Sequence, residues 1–149
     1  MRRIIKPFIT AIFVMLLAGC ANTKLISDVD PQVDISKMKS FHVVKFEKDN
    51  RGIEKLIANK LNSMGLDASS GTNKTPSHPV DVIVEYQDKW MWDLTMYMLE
   101  LNINFRDPET NYQFATGRSF RTSLARKSPE EMVDEVLNDI FRANKVVSQ

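Results

Sequence analysis

Val80-Asp81-Val82-Ile83-Val84-Glu85-Tyr86-Gln87 and, further on, Leu99-Glu100-Leu101-Asn102-Ile103-Asn104-Phe105-Arg106 decide the fold. In the first stretch Val80, Val82, Val84 and Tyr86 alternate with Asp81, Ile83, Glu85 and Gln87. In the second, part of a run from Thr95 to Arg106, the odd positions are apolar and the even positions polar. A period of two with β-branched and aromatic residues predicts half-buried strands, joined by a turn near Trp92-Asp93. Asp107-Pro108-Glu109-Thr110-Asn111 follows: proline pre-sets φ and asparagine tolerates positive φ, so a hairpin turn is expected. Tyr112 to Thr122 returns as a third strand, in which Gly117 marks a bulge or the close approach of a helix.

Downstream, Ser128-Pro129-Glu130-Glu131 reads as a capping box with proline at the first helical position. Met132, Val133, Val136, Leu137, Ile140 and Phe141 then form one broad apolar stripe. Upstream, Phe41, Val43, Val44 and Phe46 predict a buried first strand. Asp49 or Asn50 offers a cap for a helix carrying Ile53, Leu56, Ile57, Leu61 and Met64 on one side. Gly65 suits a left-handed end to that helix. Leu66 to Ser69 reads as a short strand, and Ser70 to Pro79 as a loop. The fold expected is α+β: a mainly antiparallel sheet of four to five strands with two helices on one face.

The amino-terminal part reads differently. Arg2, Arg3 and Lys6 precede an apolar run from Phe8 to Ala18, the arrangement of an export leader and too short for a permanent membrane span. Leu17-Ala18-Gly19-Cys20 resembles the lipobox of bacterial lipoproteins, and Cys20 is the only cysteine. That resemblance implies cleavage between Gly19 and Cys20, lipid on the Cys20 sulfur and an acylated new amino terminus. Because Ala21 and not aspartate follows, it also implies release to the outer membrane, with the domain on the periplasmic side. The chain is thus expected to divide into a signal peptide at 1–19, a lipidated cysteine and tether at 20–39, and an α+β domain at 40–149. Within the tether, Val29, Val33 and Ile35 leave an edge strand as the other reading.

Charge excludes one function class. The leader takes three of the 20 basic residues and none of the 19 acidic ones, leaving 17 against 19 and a formal balance of −2. Nucleic-acid binding needs a basic surface to neutralise phosphates, so no nucleic-acid partner is expected. With Cys20 lipidated no thiol remains for a disulfide or a soft metal site. His42 and His78 lack any strong metal-ligand spacing, so neither a metal nor a cofactor beyond the covalent lipid is expected. His42 lies within an apolar strand and reads as structural. Ser77, His78 and Asp81 are sequence neighbours with no nucleophile elbow, and such neighbours rarely meet in triad geometry. The acidic run Glu130, Glu131, Asp134 and Glu135 reads as a solvated helix face. No catalytic residue emerges, and an enzyme is not expected.

One stretch exceeds what folding needs. Trp90-Met91-Trp92, followed by Leu94, Met96, Tyr97 and Met98, leaves one end of the central hairpin apolar on both sides. Large exposed apolar patches mark binding sites, and tryptophan and methionine are favoured at interfaces. Trp90, Met91, Trp92, Leu94, Met96 and Met98 are therefore the candidate binding surface, unless a helix or the tether covers the second face.

Asp81-Val82-Ile83-Val84-Glu85-Tyr86 and Asn104-Phe105-Arg106-Asp107-Pro108-Glu109-Thr110-Asn111, followed by Phe114 and Gly117, resemble small bacterial lipoproteins of a largely uncharacterised domain family. The element order is similar to the amino-terminal domain of TolB and to the curli-secretion lipoprotein. The resemblance implies a scaffold or adaptor of the cell envelope with no catalytic residues. The function expected is a lipid-anchored periplasmic interaction module, with the membrane and an envelope protein as partners. The alternative is a carrier holding a lipid or other apolar ligand between sheet and helices.

Overall fold

The computed structural model describes residues 23–147, so the leader and the Gly19–Cys20 cleavage and lipidation site lie outside the described residues. Six strands form one sheet: β1 (Thr23–Val29), β2 (Ser40–Val44), β3 (Asp67–Gly71), β4 (Val82–Asp93), β5 (Thr95–Arg106) and β6 (Gln113–Arg121). Two α-helices join them, α1 (Ile53–Ser63) and α2 (Pro129–Val147). The order across the sheet is β1-β6-β5-β4-β2-β3. From β1 to β4 all neighbours are antiparallel, whereas β2 is parallel to both β4 and β3.

The sheet is therefore larger than the four to five strands expected, and mixed. The parallel part has a local cause. A helix between two strands returns the chain to its starting end, so β2-α1-β3 must pair in parallel. The sixth strand comes from the stretch read as tether, and it takes the other reading given there, an edge strand. Thr23–Val29 pairs with Arg121–Ala115 at the sheet edge; its last residue, Val29, and beyond it Ile35 are buried in the core. Their burial outweighs the polar character of Asp28, Asp30 and Asp34, which stay outside the core. Asp34 caps a short 3-10 turn at Ile35–Lys37 by accepting from the Ser36 N–H.

Both helices cover the same face. Phe141 of α2 lies 6.4 Å from Phe41 and 6.0 Å from Phe105, ring centre to ring centre, while Ile57, Ala58 and Leu61 of α1 join the same core. Lys60 and Asp134 link the two helices with an ion pair. The capping box forms as expected, with Ser128 N–H donating to Glu131 and the Glu131 N–H to Ser128 Oγ at 3.2 Å. Gly65 takes φ +83° after α1. Gly117 answers to a close approach, because a Cβ there would lie 2.8 Å from Val136 and Ile140 of α2. Asp107 Oδ1 accepts from Glu109 N, Thr110 N and Thr110 Oγ1, and Asn111 takes φ 59°, closing the β5–β6 turn.

Candidate docking surface at the hairpin tip

The longest pairing in the sheet is that of β4 with β5, running from Ile83–Arg106 out to Asp93–Thr95. Its neighbours stop earlier. β2 leaves β4 after Val84, and β6 leaves β5 at Glu100. The outer half is thus a two-stranded ribbon that turns at Leu94, which adopts φ 60°. Alternation continues along β4, but β5 carries a bulge: Lys89 faces Glu100 and Trp90 faces Met98, leaving Leu99 as the extra residue. A bulge shifts the side-chain alternation by one. Met98 is thereby turned into the core and is buried, a correction to its expected place on the candidate binding surface.

The six candidate residues divide accordingly. Trp92 keeps 68% of its surface exposed, Leu94 85%, Met96 48% and Met91 46%. Trp90 is half-buried against the core, with its Nε1–H donating to Asp88 Oδ2 at 2.5 Å and the Arg51 guanidinium 4.1 Å above its ring. Neither a helix nor the tether strand covers the outer four. The segment after β6 adds to the patch. Arg126 donates to Thr95 Oγ1 at 2.7 Å and stacks 4.9 Å over the Tyr97 ring, which brings the short turn Ser123–Ala125 to this end. Leu124 in that turn is 83% exposed. Sequence reasoning passed over Leu124 because a lone leucine among Ser123, Ala125 and Arg126 gives no periodic signal.

This division predicts unequal mutants. Trp92→Ala should change stability by no more than about 0.5 kcal/mol, since an exposed side chain loses little on truncation. Trp90→Ala should cost about 2 kcal/mol through lost packing and the lost Arg51 stack. Urea melts of the two variants would show the contrast, and equal losses would mean that Trp92 is covered.

The polar side chains singled out by sequence are placed apart from the tip. His42 is buried; its Nε2–H donates to the Asn73 carbonyl at 2.9 Å, and its Nδ1 pairs with Ser69 Oγ at 2.8 Å. That leaves the ring fully engaged in holding the loop before β4. Ser77 and His78 touch each other at 2.9 Å on the surface. Asp81 turns away from them and binds Lys39 N, Ser40 N and Ser40 Oγ, which lowers its pKa below the usual aspartate value. The three do not come together as a relay. Of the acidic run, Glu130, Glu131 and Asp134 are exposed, but Glu135 is not a solvated residue. It accepts from Ser119 Oγ at 2.5 Å, from Arg121 Nη2 at 2.5 Å and from Lys127. Burial alone would raise its pKa; these three donors outweigh that and lower it.

No protein-family model matches the sequence, and no curated protein matches it. Solved structures do. PelC from Paraburkholderia phytofirmans, solved as a dodecamer, superposes with a TM-score of 0.61 over 80% of this chain and 98% of its own, at 14% identity. TolB from Acinetobacter baumannii gives 0.49 over 83% of this chain and 31% of its own, at 14% identity. A DUF4136 family protein from Bacteroides thetaiotaomicron gives 0.43 over 86% and 95%, at 10% identity. At such identities the likeness to PelC is one of fold: this chain is an α+β domain similar in architecture to the PelC subunit.

Proposed function

We propose that the chain is a lipid-anchored interaction module of the cell envelope, held through Cys20 on the periplasmic side of the outer membrane, with an envelope protein as a partner. The observation that carries this reading is the projecting ribbon, which leaves Met91, Trp92, Leu94 and Met96 outside an otherwise well-filled domain. Large apolar side chains gathered at one projecting end are what a docking surface requires. The similarity in fold to a protein solved as a dodecamer supports a domain that works through contacts at its surface. The carrier alternative needs room between sheet and helices. That layer is filled, and Gly117 already abuts Val136 and Ile140.

The reading is tested by placing a photo-crosslinking side chain in living cells at Leu94 and, as a control, at Lys55 on the exposed side of α1. An adduct is expected at position 94 and none at 55. In the Cys20→Ala background, where the domain leaves the membrane, the adduct at 94 should fall. Equal labelling at both positions, or no adduct at 94, would overturn the docking surface; an adduct that survives Cys20→Ala unchanged would overturn the anchor.

A further inference from the structure

We infer that the occupant of the hairpin tip is the lipid surface itself, so that the ribbon is a second, non-covalent membrane contact beside the lipid. This rests on the anchored reading above, and it puts the membrane, in place of an envelope protein, against that same surface. The sheet register supplies the argument. Thr23, the start of β1, pairs with Arg121 at the end of β6. Phe120, one residue before Arg121, pairs with Glu100 of β5. The start of β1 therefore lies at the end of the sheet from which the ribbon continues outward to Leu94. The exposed Leu124 follows β6 at this same end.

Lengths decide what the tip reaches. Cys20 precedes Thr23 by three residues, a span of about 10 Å at full extension. Lys89, Glu100 and Phe120 share one level of the sheet, so Thr23 and Arg121 lie one step further out, level with Trp90. From there the ribbon runs three residues to Asp93, the partner of Thr95, about 10 Å at a strand's rise. Two interstrand twists separate β1 from β5, about 20–25° each, and reduce the projection along β1 to about 7 Å. The ribbon thus ends about 3 Å short of the fully stretched tether. Once the tether shortens by more than that, the tip enters the headgroup layer, which is about 5–7 Å deep in each leaflet.

The chemistry of the tip suits that depth. Leu94, Met91 and Met96 are apolar, and tryptophan, as at Trp92, favours the boundary between acyl chains and headgroups. Arg51 and Arg126 stand behind them, stacked on Trp90 and Tyr97, where a guanidinium can meet lipid phosphate while its stem covers apolar surface. Asp93, the acidic residue at the turn, already faces Arg126 at 4.0 Å.

The test uses the lipidated full-length protein in vesicles of equal parts phosphatidylethanolamine and phosphatidylglycerol, made with and without bromine on the acyl chains. The protein has two tryptophans, so Trp90→Phe leaves Trp92 as sole emitter and Trp92→Phe leaves Trp90. Trp92 emission should shift to the blue and lose most of its intensity in brominated vesicles, while Trp90 loses little. Adding Leu94→Asp should restore the Trp92 signal. If Trp90→Phe does not fold, the same difference is read between wild type and Trp92→Phe. Protein that sediments with the vesicles while its Trp92 emission ignores bromine overturns the lipid contact. An adduct to a protein from position 94 in cells would then leave the docking reading standing, and no adduct would remove both.

Discussion

Asp49→Ala is expected to remove about 3 kcal/mol of stability, although Asp49 adds no apolar side chain to the core. Its carboxylate accepts from the N–H groups of Arg51, Gly52 and Ile53 at 2.6, 3.1 and 2.7 Å, and from the Tyr86 hydroxyl at 2.7 Å. It thereby serves as the cap of α1, whose N-cap position, Gly52, is left-handed at φ 76° and brings no side chain. Truncation leaves the buried Ile53 N–H and the Tyr86 hydroxyl proton without an acceptor, and each such loss is costly. Burial pushes the Asp49 pKa up, but Tyr86 and the Arg51 N–H outweigh it and hold it down at about 2. A folded-state pKa below the unfolded one gives stability that is complete above the usual aspartate value of about 4 and is lost as pH falls toward 2. About 2 kcal/mol is at stake over that window. For the wild type the urea midpoint should be lower at about pH 3 than at neutral pH. The Asp49→Ala variant should start lower and lose less with acid; a parallel acid loss in the variant would assign the effect elsewhere.

Glu135→Ala should be comparably severe, about 3 kcal/mol, because it strands a charge. Arg121 is only 16% exposed in its side chain and meets Glu135 through both Nε and Nη2, at 3.1 and 2.5 Å. Removing one partner of a shielded pair costs more than the pair contributes, since the other charge stays desolvated. Arg121→Met alone should also destabilise, yet combined with Glu135→Ala it should recover part of the loss. A double-mutant cycle by urea melts measures this coupling, and strict additivity would show that the two side chains do not act together. The pair also joins α2 to the last strand, so its loss should loosen the end of the sheet that carries the tip.

The two sites show what could be read from the sequence and what could not. Local signals were legible: the Ser128–Glu131 box, the positive φ at Asn111 and Gly65, and the strand periods of β4 and β5 all depend on residues within a few positions of each other. Glu135 read as solvated because its partners, Ser119 and Arg121, sit on a strand some fifteen residues away, which no helix-face pattern reveals. Thr23–Val29 read as tether because its core contacts begin only at its last residue and its pairing partner lies near the other end of the chain. At the tip, the stretch of interest was legible from composition, while its division was not. The Leu99 bulge turns Met98 inward, and one extra residue in a strand leaves no mark in an apolar run.

The position of β1 also has a mechanical consequence. Any pull delivered through the residues before Thr23 enters the domain along the axis of an edge strand. β1 is held to β6 by seven register pairs, from Thr23–Arg121 to Val29–Ala115. A load applied along the strand shears all of these at once, whereas one applied across it would open them one by one. Beyond the ladder, Asp30 N–H donates to the Phe114 carbonyl at 2.8 Å and the buried Val29 and Ile35 act as plugs in the core. Tension entering at Thr23 is thus spread over a whole strand before any single bond must yield.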